Sequence, residues 1–436
     1  MSNKLMKKLT LIILFNFVIH FFVNAAELPQ NDENIHLGVA SCASSTCHGS
    51  IIPRASSRVL QNEYITWSRK DAHAQAYKTL LTEESKKIAN KLGLKSAQTA
   101  KICLDCHSDN VANNMRGEQF QIDDGIGCES CHGGAEHYIK SHTNRKVERL
   151  VNINNGLYPS DNPVDRSRLC LSCHLGNKDK FASHDIMGAG HPRLAFELDT
   201  FGLLQPLHFK VDDDYKKYKW SGDSYITWVY GQLGASSETI KLIKNKIVEQ
   251  NTLFPEIALF DCHSCHHEMS DLKWTKEKGQ GFKPGTIRLN DGNFKMLLAI
   301  ASTTSLKDKF HKNIKAIVDS LNDKNQLVKV LDVFSEDIKT LQVYIEEQSV
   351  AQRIKMTQQV LYQILKMGKR GEFSDYISAE QTVMAIDLLI NALDKRATFE
   401  QEINTLFSIV DNENSFDAQD FMLALNEISN RFQLPD

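Results

Sequence analysis

The hydrophobic pattern divides the chain into three regimes. At the N-terminus an apolar run from Leu9 to Val23 follows Lys4, Lys7 and Lys8 and ends in Val23-Asn24-Ala25. This is the layout of a cleavable secretory signal over residues 1–25, with a small residue before the cut. The competing reading, a membrane anchor, is disfavoured because Asn16 and His20 interrupt the run, which is shorter than the roughly 20 apolar residues a spanning helix needs. No later stretch is apolar enough to span, so no membrane span is expected after signal cleavage.

Beyond Pro284 the pattern is helical. Leu327, Leu331, Phe334, Ile338, Leu341 and Ile345 recur at alternating spacings of four and three, one amphipathic seam. Ser378 with Gln381 reads as a capping box ahead of Val383, Ile386, Leu389 and Leu393, and Gly368 as the close of the preceding helix. Residues 290–436 are therefore expected to form an α-helical bundle that packs on the rest or offers a docking or dimerisation surface. DNENSFDAQDF resembles a calcium loop only superficially, since Phe416 stands where the glycine is required. Between the two regimes lie TWSRKDAHAQAYKTLL (66–81), which reads as a helix, and a spacer from Lys210 to Asn251 with a helix predicted over 237–248.

Bulk composition adds little. The 436 residues carry 51 Lys+Arg against 54 Asp+Glu, which excludes a basic nucleic-acid-binding chain. Removing residues 1–25 takes away three lysines and no acid, moving the formal charge from −3 to −6. The cysteines change the picture. All ten fall in pairs: Cys42 and Cys47, Cys103 and Cys106, Cys128 and Cys131, Cys170 and Cys173, Cys262 and Cys265. A histidine follows each pair at once: His48, His107, His132, His174 and His266.

In an exported protein disulfides are the default. They give no reason for the trailing histidines, whose fivefold recurrence by chance has a probability on the order of 10⁻⁷ at this histidine content. Cys-x-x-Cys-His is the attachment sequence of c-type haem: two thiols bond the macrocycle and the histidine is the proximal iron ligand. Structural zinc on Cys-x-x-Cys knuckles needs no such histidine. CASSTCH (42–48) has four residues between its cysteines. It reads as a variant attachment site or as a Cys42–Cys47 disulfide, so five haems c are expected, or four if the first pair is oxidised.

An iron with one histidine can bind substrate, whereas a second histidine closes it for electron transfer. Candidate distal ligands are His73, His137, His142, His184, His191 and His208. Small Ala72, Ala74 and Ala76 around His73 would let a flat macrocycle approach. On a helix His137 and His142 would point about 140° apart and serve different irons, or only one would serve. Pro192 biases His191 toward an extended, loop-borne ligand. His208 is equally readable as a site-lining base or an exposed side chain. His263 and His267 adjoin the last proximal histidine too closely to bind its iron, and His36 and His311 read as structural or surface residues.

These residues bring a family into view. W-x-x-x-x-x-HA-x-A-Y, GIGCESCHGG followed by two histidines, and GAGHPRLAFEL resemble the multihaem cytochromes c that are similar to the tetrahaem electron acceptor of hydroxylamine oxidoreductase. The resemblance covers about residues 40–210 and implies a mostly helical fold with haems stacked in pairs. It also implies distal ligation by His73, by His137 or His142, and by His191. The long first motif, the fifth site and the tail depart from it.

Four sites within residues 42–174 leave about 33 residues each, too few to bury each haem in its own core. The macrocycles must share walls. The expected architecture is mainly α: a multihaem cytochrome c domain over 36–285 with closely stacked haems, then the helical domain over 290–436. The expected function is a periplasmic carrier passing electrons between a redox protein donor and an acceptor through mostly bis-histidine haems. The alternative is an oxidoreductase in which one five-coordinate haem acts on a small nitrogen or sulfur compound, served by His208, His184 or Arg193.

Overall fold

The computed structural model describes residues 26–55, 59–219, 222–249, 255–266 and 288–432. The expected signal segment, His267 and Pro284 lie outside the described residues. The fold is mainly α, with two isolated β-bridges among the described residues, His36 with Arg116 and Phe260 with Leu289. No described helix is long and apolar enough to cross a membrane.

Two kinds of packing alternate along the chain. From residue 26 to 219 the helices are short: α1 Glu63–Lys70, α2 Ala76–Thr79, α3 Glu83–Lys91, α4 Lys101–His107, α5 Cys128–His132, α6 Arg149–Asn154, α7 Pro163–His174, α8 His184–Ala189, α9 Leu198–Leu204 and α10 Asp213–Tyr218. Their joint apolar core is one small cluster of Leu80, Ala89, Ala97 and Leu104. Short helices with so little burial cannot be held by propensity alone, because most helix stability comes from packing.

The expected helix over 66–81 is broken. Asp71 is extended (φ −86°, ψ 126°), and the chain resumes as a 3-10 turn, Ala72–Gln75, before α2. The Asp71 carboxylate accepts from the His73 backbone N–H at 3.0 Å, offering the backbone an alternative to the helical ladder.

The second half is built differently. α11 Ser224–Ile243 starts well before residue 237 and is buried around most of its circumference, with Tyr225, Ile226, Trp228, Val229, Leu233, Ile240, Leu242 and Ile243 inside. It packs with α12 Gly292–Ala301, α13 Lys307–Asp319, α14 Lys324–Glu346, α15 Val350–Lys369, α16 Tyr376–Ala392, α17 Glu400–Ile409 and α18 Ala418–Arg431 in one continuous cluster from Tyr225 to Phe432. The six seam positions of α14 are all buried, and Phe334 meets Phe294 and Phe310 edge-on at 5.2 and 5.3 Å.

Two terminus signals belong elsewhere than expected. Asp375, not Ser378, caps α16, its carboxylate accepting from Ser378 N, while the capping box is Ser349 with Gln352 on α15. Gly368 lies inside α15 against Leu425, and Gly371, at φ +73°, turns the chain out of that helix.

α11 also joins the halves. A side-chain β-carbon at Gly231 would stand 2.7 Å from Leu198 Cβ on α9, and one at Gly234 2.6 Å from Ser167 Oγ on α7. α7 carries the fourth cysteine motif, so these glycines let the motif helix lie directly on the helical body. Arg193 ties the same region to α16 through Glu380 at 3.1 Å, and Gln381 Nε2 donates to Phe196 O at 3.0 Å.

Candidate haem centres

Three motifs are helical. α4, α5 and the last turn of α7 each end on the motif histidine, so the two thiols, three residues apart, share one helix face. CASSTCH instead closes as a turn, with Cys47 N donating to Ser44 O and His48 N to Cys42 O. The fifth motif is a 3-10 turn over Cys262–Ser264, and His266 N donates to Cys262 O. All ten cysteines are free, Cys42 and Cys47 included. Motifs distant in sequence are packed together: the Cys42 thiol lies beside that of Cys128, and the Cys106 thiol beside that of Cys173.

The histidines show a single repeated geometry. Each motif histidine faces one other imidazole: His48 with His142 at 6.2 Å between ring centres, His107 with His191 at 6.3 Å, and His132 with His208 at 6.2 Å. His174 faces His73 at 6.1 Å and His266 faces His184 at 6.1 Å. Direct ring packing has no reason to repeat one separation five times while the interplanar angle ranges from 12° to 89°. Two imidazoles bound to one metal would: with metal–nitrogen bonds of about 2.0 Å, their ring centres would lie about 6.2 Å apart whatever the ring rotation.

The ring nitrogens are sorted accordingly. Nδ1 of His48 bonds Glu63 Oε2 at 2.9 Å, and that of His73 bonds Asp71 Oδ1 at 2.8 Å. His107 Nδ1 lies 3.0 Å from Ala76 O and 2.9 Å from Thr79 Oγ1. His142 Nδ1 donates to Tyr138 O at 3.0 Å and His191 Nδ1 to Pro192 O at 2.8 Å. Such partners fix the tautomer and leave Nε2 for a metal. Large apolar side chains stand exposed close in sequence to two of these histidines, Ile51 and Ile52 after His48 and Leu203, Leu204 and Leu207 before His208. They suit the face of a flat apolar macrocycle.

Electrostatics separates the pairs. Burial, with the positive neighbour Lys219 and the imidazoles of His208, His48 and His142, holds His132 down to about 3, hence neutral at any ordinary pH. Burial likewise lowers His107, His174 and His208. The carboxylates act oppositely, Glu63 raising His48 and Asp71 raising His73. Burial alone would raise Asp71, but hydrogen bonds from His73 and Gln205 bring it to about 2.

Five of the six candidate distal histidines are thus brought opposite a motif histidine. His137 is not: it is exposed, and its Nε2 lies 3.7 Å from Glu136 Oε2. The segment after α5 is a turn followed by a 3-10 turn, Ser141–Thr143, and only His142 reaches back to His48. His36 is buried, bonded to Asp109 at 2.8 Å and Pro29 O, while His263 sits between Glu413 and Tyr376. His311 is exposed on α13.

Residues 41–133 match the model of the family cytochrome c554 and c-prime. That stretch is similar to the multihaem cytochromes c of this family. It holds the first three motifs and His73, and the match supports haem c binding and electron transfer there. The matched stretch is shorter than the resemblance over 40–210. No curated protein and no solved structure matches the chain.

Sequence reading missed Glu63 and Asp71. Asp71 lies two residues before His73, a spacing at which an aspartate commonly folds back on the chain, and that was available as a signal. Glu63 is 15 residues from His48, and nothing local marks it.

Proposed function

We propose that the chain is an exported, periplasmic c-type cytochrome with five haems, each closed by two histidines, that carries electrons between a redox protein donor and an acceptor. The proximal–distal pairs are His48–His142, His107–His191, His132–His208, His174–His73 and His266–His184. The observation that carries the reading is the common 6.1–6.3 Å separation of all five pairs. Haem c supplies a one-electron couple at each site. The cysteines would anchor the haems and the paired histidines would hold the irons, while Nδ1 partners fix the rings of His48, His73, His107, His142 and His191. If both histidines of every pair bind iron, none would be left open to a small nitrogen or sulfur substrate, which argues against the enzyme reading.

The tail gains a role in this scheme. Phe260 pairs with Leu289, Asp261 N donates to Arg288 O at 2.8 Å, and Asn290 N donates to Leu259 O at 2.9 Å. The fifth motif is therefore mounted on the helical body, and we divide the chain functionally into a four-haem part and a helical part that carries the fifth.

Mass spectrometry and spin-state spectroscopy of the exported protein test the reading together. Five covalent haems, all low-spin and unaltered by cyanide or carbon monoxide, are expected. Four haems with an oxidised Cys42–Cys47 pair, or a high-spin fraction that binds cyanide, would overturn it.

A further inference from the structure

The five pairs are alike in spacing but not in what their Nδ1 atoms meet. His107, His142 and His191 have backbone carbonyls, with the neutral Thr79 hydroxyl also beside His107, and His208 is in a backbone hydrogen bond with Pro206. Among the described residues, only His48 and His73 of the five pairs have carboxylates on Nδ1. Both carboxylates are fixed from a second side, Glu63 by Gln61 N at 3.1 Å and Asp71 by Gln205 Nε2 at 3.0 Å. The Asp71 side chain is only 4% exposed, so solvent screens its charge poorly.

We infer that Glu63 and Asp71 are redox-positioning residues that set the His48–His142 and His174–His73 centres at lower potential than the centres they pack against. An anionic acceptor on Nδ1–H shifts electron density into the imidazole and places negative charge near the metal, and both favour the oxidised state. The two tuned centres are not neighbours of the same kind. The first motif touches the third through Cys42 and Cys128, and the fourth touches the second through Cys173 and Cys106. Each packed couple thus holds one carboxylate-tuned and one carbonyl-tuned centre, so electron movement within each couple is biased toward the His132 and His107 centres.

This inference rests on the bis-histidine reading, and the test separates the two. Glu63→Gln, Asp71→Asn and the control Glu136→Gln, which removes a charge beside the unpaired His137, are titrated as holoproteins by spectroelectrochemistry, with haem content and spin state measured on the same samples. Five low-spin haems are expected in all four proteins. One of the two lowest-potential waves should move upward in each of the first two variants, a different wave in each, and none in the control. Unmoved or downward-shifted waves in variants that keep five low-spin haems overturn the inference while leaving the ligation reading intact. A wild-type protein lacking five low-spin haems overturns both.

Discussion

Replacing Asp375 probes whether the helical body is held by its buried charges. Its carboxylate accepts from Lys295 Nζ at 2.8 Å and Arg288 Nη2 at 2.9 Å and caps α16 through Ser378 N at 2.7 Å. The three side chains are each 4–6% exposed. Burial alone would push this carboxyl up, but the charges of Lys295 and Arg288 overcome that and hold it below the ordinary carboxylate range. Asp375→Ala leaves two buried cations sharing Asp291, a loss of about 3–5 kcal/mol for breaking a buried pair. The lost cap contributes about 1 kcal/mol, partly the same energy. At about 2–4 °C per kcal/mol for a body of this size, Tm should fall by about 6–20 °C in far-UV circular dichroism.

Asp375→Asn keeps an acceptor for Ser378 N and should recover only the cap. Because the folded-state pKa is depressed, the stabilisation is present above the usual carboxylate range and is lost as pH falls below it. The wild type and Asp375→Asn should therefore converge in strong acid and separate at neutral pH. Since Arg288 also receives the backbone of Asp261, Asp375→Ala should loosen the fifth motif and lower its haem occupancy. A variant melting within about 2 °C of the wild type would refute the reasoning, because no buried pair of this size is then at work.

His142→Ala should turn one low-spin haem high-spin in the electronic and EPR spectra, whereas His137→Ala should leave all five unchanged; the reverse would reassign the first pair. Gly231→Ala sets a methyl 2.7 Å from Leu198 Cβ on a neighbouring helix, so the clash should exceed the roughly 1 kcal/mol of helix propensity gained and lower Tm. Asp199 is raised to about 7 by burial and by Glu197, so the folded state binds its proton more tightly and stability falls as pH rises from about 4 to 7. Asp199→Asn should be more stable than the wild type at pH 8 by about 1–3 kcal/mol and indistinguishable near pH 4, read from denaturant midpoints.

Local chemistry made part of this legible in advance. Cys-x-x-Cys-His is read within five residues, so attachment and proximal ligation could be expected at CLDCH, CESCH, CLSCH and CHSCH without knowing the fold. The α14 seam was equally local, since a 3.6-residue period appears in a single segment and all six of its positions are buried. α16 was not so simple. Ser378 looks like a cap in sequence, but Asp375 three residues earlier takes that role because its carboxylate also meets Lys295 and Arg288 from other segments.

The distal ligands mark the boundary. Composition and spacing determined that this chain has more imidazoles than Cys-Cys-His motifs and that each motif ends on one histidine. Which imidazole stands opposite is decided by packing between segments 76 to 101 residues apart. His137 and His142 are indistinguishable as residue types, and only the turn after Tyr138 sends one to His48 and the other to solvent. The placement of Glu63 and Asp71, and the mounting of the fifth motif on Arg288 and Asn290, belong to the same class. A sequence fixes chemistry wherever the reacting groups are joined by a few bonds; where they meet only through space, the fold decides.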